Sequence, residues 1–337
     1  MPEQAKGNHH NSKKNSLVCY LKYQTPKKYS NKQIVLLKLL KHKEIDKAKW
    51  DDCISNAANG RIYALSWYLD EMCPNWSAIV TEDYKFIMPL PVRKKWGITY
   101  IFQPAFTQQL GIFSRENCSE DVIEKFIQEI TRNFNYAEIN FNSQNVLGAN
   151  LQHKIKKNYL LPLDDTYENL QKAFSRSANR NISKAIKNNI VIEESNDCAQ
   201  LLKLHRQRYA NTVSNKEDLA SLQKLLQKAT QNKMAHYFYA RNASGEFIAS
   251  SGYLTFKDRV IFLVNGNINE GLASGATHLL KDRAIKKFSN QELIMDFEGS
   301  ETASFARFYE QYGAKNLEMY SYFKFNNLPK VLRLIKK

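Results

Sequence analysis

Glycine and proline are scarce in this chain of 337 residues, 12 and 8 in number, while Lys, Asn, Ile and Tyr are abundant. Codon usage rich in A and T produces the same balance, so the lysine excess reads equally as compositional, on solvated faces, or as functional. The cysteines number five (Cys19, Cys53, Cys73, Cys118 and Cys198), far apart and without any C-x-x-C. That spacing indicates neither a disulfide framework nor a zinc site, and it fits a reducing cytoplasm. Long apolar runs are missing as well. The stretch Leu17 to Leu21 is too short for a signal-peptide core or a bilayer span, so a cytoplasmic location is expected. G-x-S-x-G, P-loop and Rossmann fingerprints are absent. His9 and His10 lack nearby partners for a metal.

What is present is a hydrophobic content of 43%, enough for a sizeable core and for two domains. The formal net charge is +16. It points to an anionic partner, for which nucleic acid, a membrane surface or a phosphate-bearing small molecule all qualify.

Residues 1–32, rich in Lys, Asn, Ser and Gln, are expected to form a mobile basic tail. Structure should begin with a strand over Ile34 to Leu40, then helices over Ile45 to Ala57 and Ser66 to Met72. Three strands follow within Trp76 to Phe102, then a helix capped by Ser119 and a strand from Tyr136 to Phe141. The second half repeats this order. Helices are expected over Cys198 to Tyr209 and Leu219 to Ala229, three strands within His236 to Asn265, a helix bearing Ala276, Leu280, Ala284 and Phe288, and a final strand over Leu317 to Phe325. The recurrence implies an internal duplication of one α/β unit of the α+β type, with domains at 33–164 and 165–337.

The most informative stretch is LIMDFEGSETASFARFYEQYGAK, from Leu293 to Lys315. Residues two apart on a strand share a face, so Asp296 and Glu298 project together. Ser300 is a plausible N-cap, Phe305, Phe308, Tyr309 and Tyr312 form one helical stripe, and Gly313 ends the helix. The sequence Ile139-Asn140-Phe141-Asn142-Ser143 in the first half parallels this corner with amides in place of acids. Carboxylates able to move a proton therefore remain in the later copy alone.

Two further features bear on ligands. Lys172, Arg176, Arg180, Lys184 and Lys187 recur along a helix expected between Asp165 and Glu194, a stripe suited to phosphates or to solvent. The segment Gly271-Leu272-Ala273-Ser274-Gly275-Ala276 lies between a strand and a helix, where backbone N–H groups of Ser274, Gly275 and Ala276 would attract a pyrophosphate. Asn265 and Asn267 close the preceding strand, either as turn residues or to orient a carbonyl. Of the histidines, His278 is expected to face solvent, and His205 has no recognisable partner.

The pairing of SRSANRNISKAIKNNIVIEE with the later DFEGSETASFARFYEQYGAK resembles the FemAB-like acyltransferases, over about Ile34 to Lys337. That resemblance implies tandem GNAT-like domains, each a mixed, largely antiparallel sheet flanked by helices, with the second domain catalytic. It implies transfer of an acyl or aminoacyl group to an amine, from acyl-coenzyme A or aminoacyl-tRNA as co-substrate and with no permanently bound cofactor. Partners on this reading are CoA, tRNA or a nucleotide-linked sugar. Asp296 and Glu298 would supply the base; Gly271, Ser274, Gly275 and Ala276 the donor loop; Arg176, Arg180, Lys184 and Asn265 the substrate contacts. The loop lacks the leading Arg or Gln of the usual GNAT pattern and has Ser at its central glycine. A different class of function, nucleic-acid binding or scaffolding without catalysis, would use the same basic stripe and tail.

Overall fold

Proline has no N–H to give to a ladder, and Pro91 divides what reads in sequence as one strand. The computed structural model describes residues 36–209, 216–299 and 302–329; the expected tail and Ser300 lie outside them. The first half runs β1 (Leu37–Leu40), α1 (Lys47–Asn56), α2 (Ser66–Met72), β2 (Ser77–Thr81), β3 (Phe86–Leu90), β4 (Val92–Lys95), β5 (Ile98–Ile101), β6 (Phe113–Ser114), α3 (Glu120–Asn133), β7 (Tyr136–Phe141) and β8 (His153–Pro162). On either side of Pro91 the chain enters different sheets. β3 joins a four-stranded sheet ordered β1-β2-β3-β6, whereas β4 and β5 begin the larger one. The expected meander is thus split in two.

The second half runs α4 (Tyr167–Gln171), α5 (Arg176–Lys187), β9 (Val191–Ser195), α6 (Ala199–Tyr209), α7 (Lys216–Gln231), β10 (Ala235–Arg241), β11 (Phe247–Phe256), β12 (Arg259–Asn267), α8 (Asn269–Ala273), α9 (Ala276–Phe288), β13 (Ile294–Asp296), α10 (Ala303–Glu310) and β14 (Lys315–Asn326). The large sheet has ten strands in the order β4-β5-β7-β14-β8-β13-β12-β11-β10-β9. Its pairing is antiparallel except at β5 with β7 and β12 with β13. The last strand, β14, lies between β7 and β8 and pairs with both, so the C-terminal end of the second half is built into the first.

Packing follows the apolar periodicity. Ser119 caps α3 through the Val122 N–H, and Val122, Phe126, Ile127 and Ile130 enter the first core. That core also takes in Leu201, Leu222, Leu225 and Leu226 from α6 and α7, which ties the halves together. A second core gathers Ala178, Ile182, Leu280, Ala284, Met295, Phe297 and Tyr312 around α5, α9 and α10. The basic segment is not one helix. It breaks at Lys172 to Ser175 and ends before β9, which leaves Lys172 off the stripe; Arg176, Arg180, Lys184 and Lys187 share α5, all exposed. The stripe on α10 is also imperfect, because Phe305 is 50% exposed while Tyr312 is fully buried, and the helix cap falls at Thr302. No helix among the described residues is long and apolar enough to cross a membrane.

Candidate active site

The parallel pairing of β12 with β13 covers only Arg259 to Ile261 against Ile294 to Asp296. Beyond it, β12 continues to Asn267 while β13 stops, so the strands part and Glu298 lies in the opening. In the first half the corresponding opening is closed. Leu110 bridges to Phe141, the Leu110 N–H donates to the Asn140 carbonyl at 2.8 Å, and the Asn142 N–H donates to the Leu110 carbonyl at 2.9 Å. The Asn142 side chain, fully buried, donates to the carbonyls of Leu110 and Ile112. Amides suit that sealed corner because they satisfy backbone groups without bringing charge.

Asp296 and Glu298 share an aspect, as expected, yet their surroundings differ. Asp296 is 1% exposed, and both its oxygens are engaged: Oδ2 accepts from Arg259 at 2.8 Å and Asn158 at 3.2 Å, Oδ1 from the Glu298 N–H at 2.9 Å. That last bond holds Glu298 at φ +59°, a left-handed conformation costly for a residue with a Cβ. Asp296 is thus committed to Arg259, Asn158 and the Glu298 backbone.

Arg259 also grips Glu318 of β14, with Nη2 to Oε1 at 2.8 Å, and Arg61 of the first half reaches the same oxygen at 3.0 Å. Ser143 donates to it at 2.7 Å. Burial alone would raise Glu318, but the two guanidinium groups overcome it and hold this carboxyl well below the usual range. Burial, aided by the Glu318 charge, lifts Asp296 above that range despite Arg259. This cluster joins β12, β13 and β14 to Arg61, Ser143 and Asn158 of the first half.

Glu298 keeps part of its surface open. Its Oε1 accepts from the Tyr63 hydroxyl at 2.6 Å, a bond between residues far apart in the chain. Burial pushes its pKa up to about 8, the Tyr63 bond opposes the rise, and Asp296 adds to it. Aromatic rings surround it. Tyr63 meets Tyr68 edge-on at 5.6 Å, and Tyr309 stacks on Phe297 at 4.9 Å. A carboxyl titrating near neutrality, partly open and walled by rings, is equipped to take a proton from an amine.

The remaining expected residues fall elsewhere. Gly271, Ser274, Gly275 and Ala276 are all buried. A Cβ on Gly271 would stand 2.2 Å from the Ile248 carbonyl oxygen, and one on Gly275 would stand 2.3 Å from that of Asn181. These glycines seat α5 and α8. Outside the loop, a groove of about 350 Å³ is lined by Asn188, Asn242, Glu270 and Ser274, among others, and Glu270 brings negative charge. Gly275→Ala, with φ at +85°, is expected to cost about 1–3 kcal/mol, read as a lower urea midpoint with an unchanged m-value. His278 is not solvent-facing as expected. It is half-buried, shares a 2.7 Å bond with the Tyr312 hydroxyl, and is pushed by burial to a pKa of about 4. Asn265 is held by α6, its carbonyl accepting from His205 at 2.7 Å and its Oδ1 from Tyr209 at 3.0 Å. Tyr63, Arg61, Arg259, Asn158 and Glu318 went unmarked in sequence, since each is defined only by partners far along the chain.

No family model matches the sequence, and no curated protein matches it either. Solved structures do match its fold. FemX is similar with a TM-score of 0.59 at 12% identity, covering 88% of this chain and 100% of that one. A conserved protein of unknown function from Bacteroides thetaiotaomicron gives 0.56 at 12% identity, over 86% and 99%. The C-terminal domain of a candidate lysylphosphatidylglycerol synthetase from Agrobacterium fabrum gives 0.53 at 10% identity, over 86% and 94%. The fold is that of the FemAB-like, GNAT-type acyltransferases.

Proposed function

We propose that this chain is an N-acyltransferase, with domains at 33–164 and 165–337 and its reacting centre in the second. The observation that carries the reading is Glu298, a carboxyl with a pKa of about 8 that follows β13 where it parts from β12. As carboxylate, Glu298 takes a proton from the acceptor's ammonium. The freed nitrogen attacks the donor's carbonyl carbon, the new C–N bond forms, and the C–S bond of a CoA thioester or the C–O bond of an aminoacyl-tRNA ester breaks. The thiolate or alkoxide leaves with the proton returned from Glu298, and the new amide nitrogen releases its second proton to water. Asp296 and Tyr63 fix the base.

Arg176, Arg180, Lys184 and Lys187, exposed on α5 and without ion pairs among the described residues, offer the donor's phosphates a charged face. Arg180→Glu is expected to weaken donor binding by about tenfold at low salt, with an unchanged melting temperature and a shallower salt dependence. The reaction itself is tested by incubating the chain with radiolabelled acetyl-CoA, or with tRNA charged with labelled amino acid, and an amine panel. Label entering an amine product supports the reading; no transfer from either donor sinks it.

A further inference from the structure

Trp96 is 61% exposed, whereas Trp50 and Trp76 are fully buried and Trp67 is half-buried. A single apolar side chain in water is ordinary, but this ring also stands where local physics favours other residues. β4 and β5 are joined by a two-residue turn, with Lys95 opposite Ile98 and positive φ at both Trp96 (+48°) and Gly97 (+79°). Such turns favour Asn-Gly or Asp-Gly, and a bulky side chain at positive φ costs free energy. Neither the turn nor the core accounts for Trp96.

The approach to the tip is charged. Arg93, Lys94 and Lys95 lead into it, all exposed. Arg93 is engaged, with Asp218 at 3.6 Å and over the Phe102 ring at 4.0 Å. Lys94 and Lys95 have no ion pair among the described residues, and the Lys95 ammonium lies 4.4 Å from the centre of the Trp96 ring. Lysines on an edge strand guard against strand-to-strand aggregation. That accounts for the lysines and leaves the ring unexplained.

The setting of the hairpin selects a partner. β5 pairs with β7 only at Ile101 against Ala137, so the two strands run on alone for roughly 10 Å to the turn. β14 finishes at the same end of the sheet, where Asn326 pairs with Tyr136 and the Asn327 N–H donates to the Asn135 carbonyl at 2.8 Å. The sequence beyond the described residues, 330–337, reads KVLRLIKK and carries charge of the same sign. A projecting ring backed by cations fits a flat anionic surface with an apolar layer beneath it. Tryptophan seats at the boundary of headgroups and acyl chains, and lysine ammonium groups reach the phosphates. Single-stranded nucleic acid, the other polyanion that takes aromatic rings, is held in a groove by successive rings. A tip standing past its sheet offers no groove.

We propose that the β4–β5 hairpin anchors this chain to the surface of an anionic phospholipid bilayer, with Trp96 at the interface and Lys94 and Lys95 on headgroup phosphates. The anchor does not depend on acyl transfer.

The test is sedimentation of the full chain with phosphatidylcholine vesicles, with and without about one third phosphatidylglycerol, while tryptophan emission is followed. Binding is expected with the anionic vesicles alone, falling steeply with salt, with emission shifted to the blue and quenched by brominated acyl chains. Trp96→Asn suits the turn, so it should fold at least as stably, yet bind about tenfold more weakly and lose the shift. Lys94→Ala combined with Lys95→Ala should weaken binding about thirtyfold. Wild type that ignores anionic vesicles, or Trp96→Asn that binds them undiminished, overturns the proposal; the first of these needs no variant to fold. An oligonucleotide that shifts the emission where vesicles do not would overturn it too, and would assign the tip to nucleic acid.

Discussion

Replacing Arg259 with Met is expected to destabilise the fold by about 3–5 kcal/mol, a large share of the roughly 5–15 kcal/mol that holds a typical domain. Arg259 is 7% exposed and bonds both Asp296 and Glu318. Methionine fills similar space but leaves two buried carboxylates with Arg61 as their remaining cation, and Arg61 reaches only Glu318. Glu318→Gln should cost less, because Arg259 keeps Asp296. Combining the two should cost less than their sum, by about 2 kcal/mol, since the second change removes one of the stranded charges. The pH dependence has a definite sign. A carboxyl held below its unfolded value gives stability that is complete above that value, about 4.3, and is lost as pH falls toward the folded one. Wild type should therefore lose stability on acidification below about pH 4.3, and Arg259→Met should lose less there. Urea midpoints between pH 3 and 7 would show it, on the order of a few tenths molar.

Local elements were legible in the sequence because local physics makes them. The alternation and flanking turns of Tyr136 to Phe141 and the Ser119 cap both stand in the structure. The break in the basic helix was not legible, since Phe174 is buried against Tyr312, in the turn after α10, and pins that break through a distant contact. The site divides in the same way. DFEG marked the acidic corner, and the amides of INFNS marked its counterpart. What separates Asp296 from Glu298 is the identity of their partners: an arginine one strand away for the first, a tyrosine from the other half for the second. Neither pairing leaves a trace in spacing. Glycines in the segment 271–276 resembled a phosphate loop, but a glycine required by a neighbouring carbonyl has the same sequence signature as one required by a ligand.

Glu298→Gln is expected to lower acyl transfer by about 10²–10⁴-fold with little change in KM for the donor, the range for removing a general base. Gln keeps the size and can still accept from Tyr63, so loss of rate reports the proton acceptor and not the shape of the cleft. In wild type kcat/KM should rise with pH through about 8 as Glu298 ionises, and that limb should vanish in the variant. Tyr63→Phe removes a bond that lowers the Glu298 pKa, so the same limb should move to higher pH and the rate at pH 7 should fall about tenfold. A structural role for Tyr63 would lower the rate without moving the limb. Stability gives an independent reading of opposite sign. Glu298 binds its proton more tightly folded than unfolded, so its contribution declines as pH rises from the unfolded value through about 8. Gln has no proton to lose. Glu298→Gln should thus match wild type near pH 4 and exceed it by about 2 kcal/mol at pH 9, after discounting for the carboxyl's partial exposure. A variant less active and more stable at alkaline pH is the signature of a carboxyl kept in a poor electrostatic position for its chemistry; equal stability at pH 9 would place Glu298 in an ordinary solvated setting and remove the basis for calling it the base.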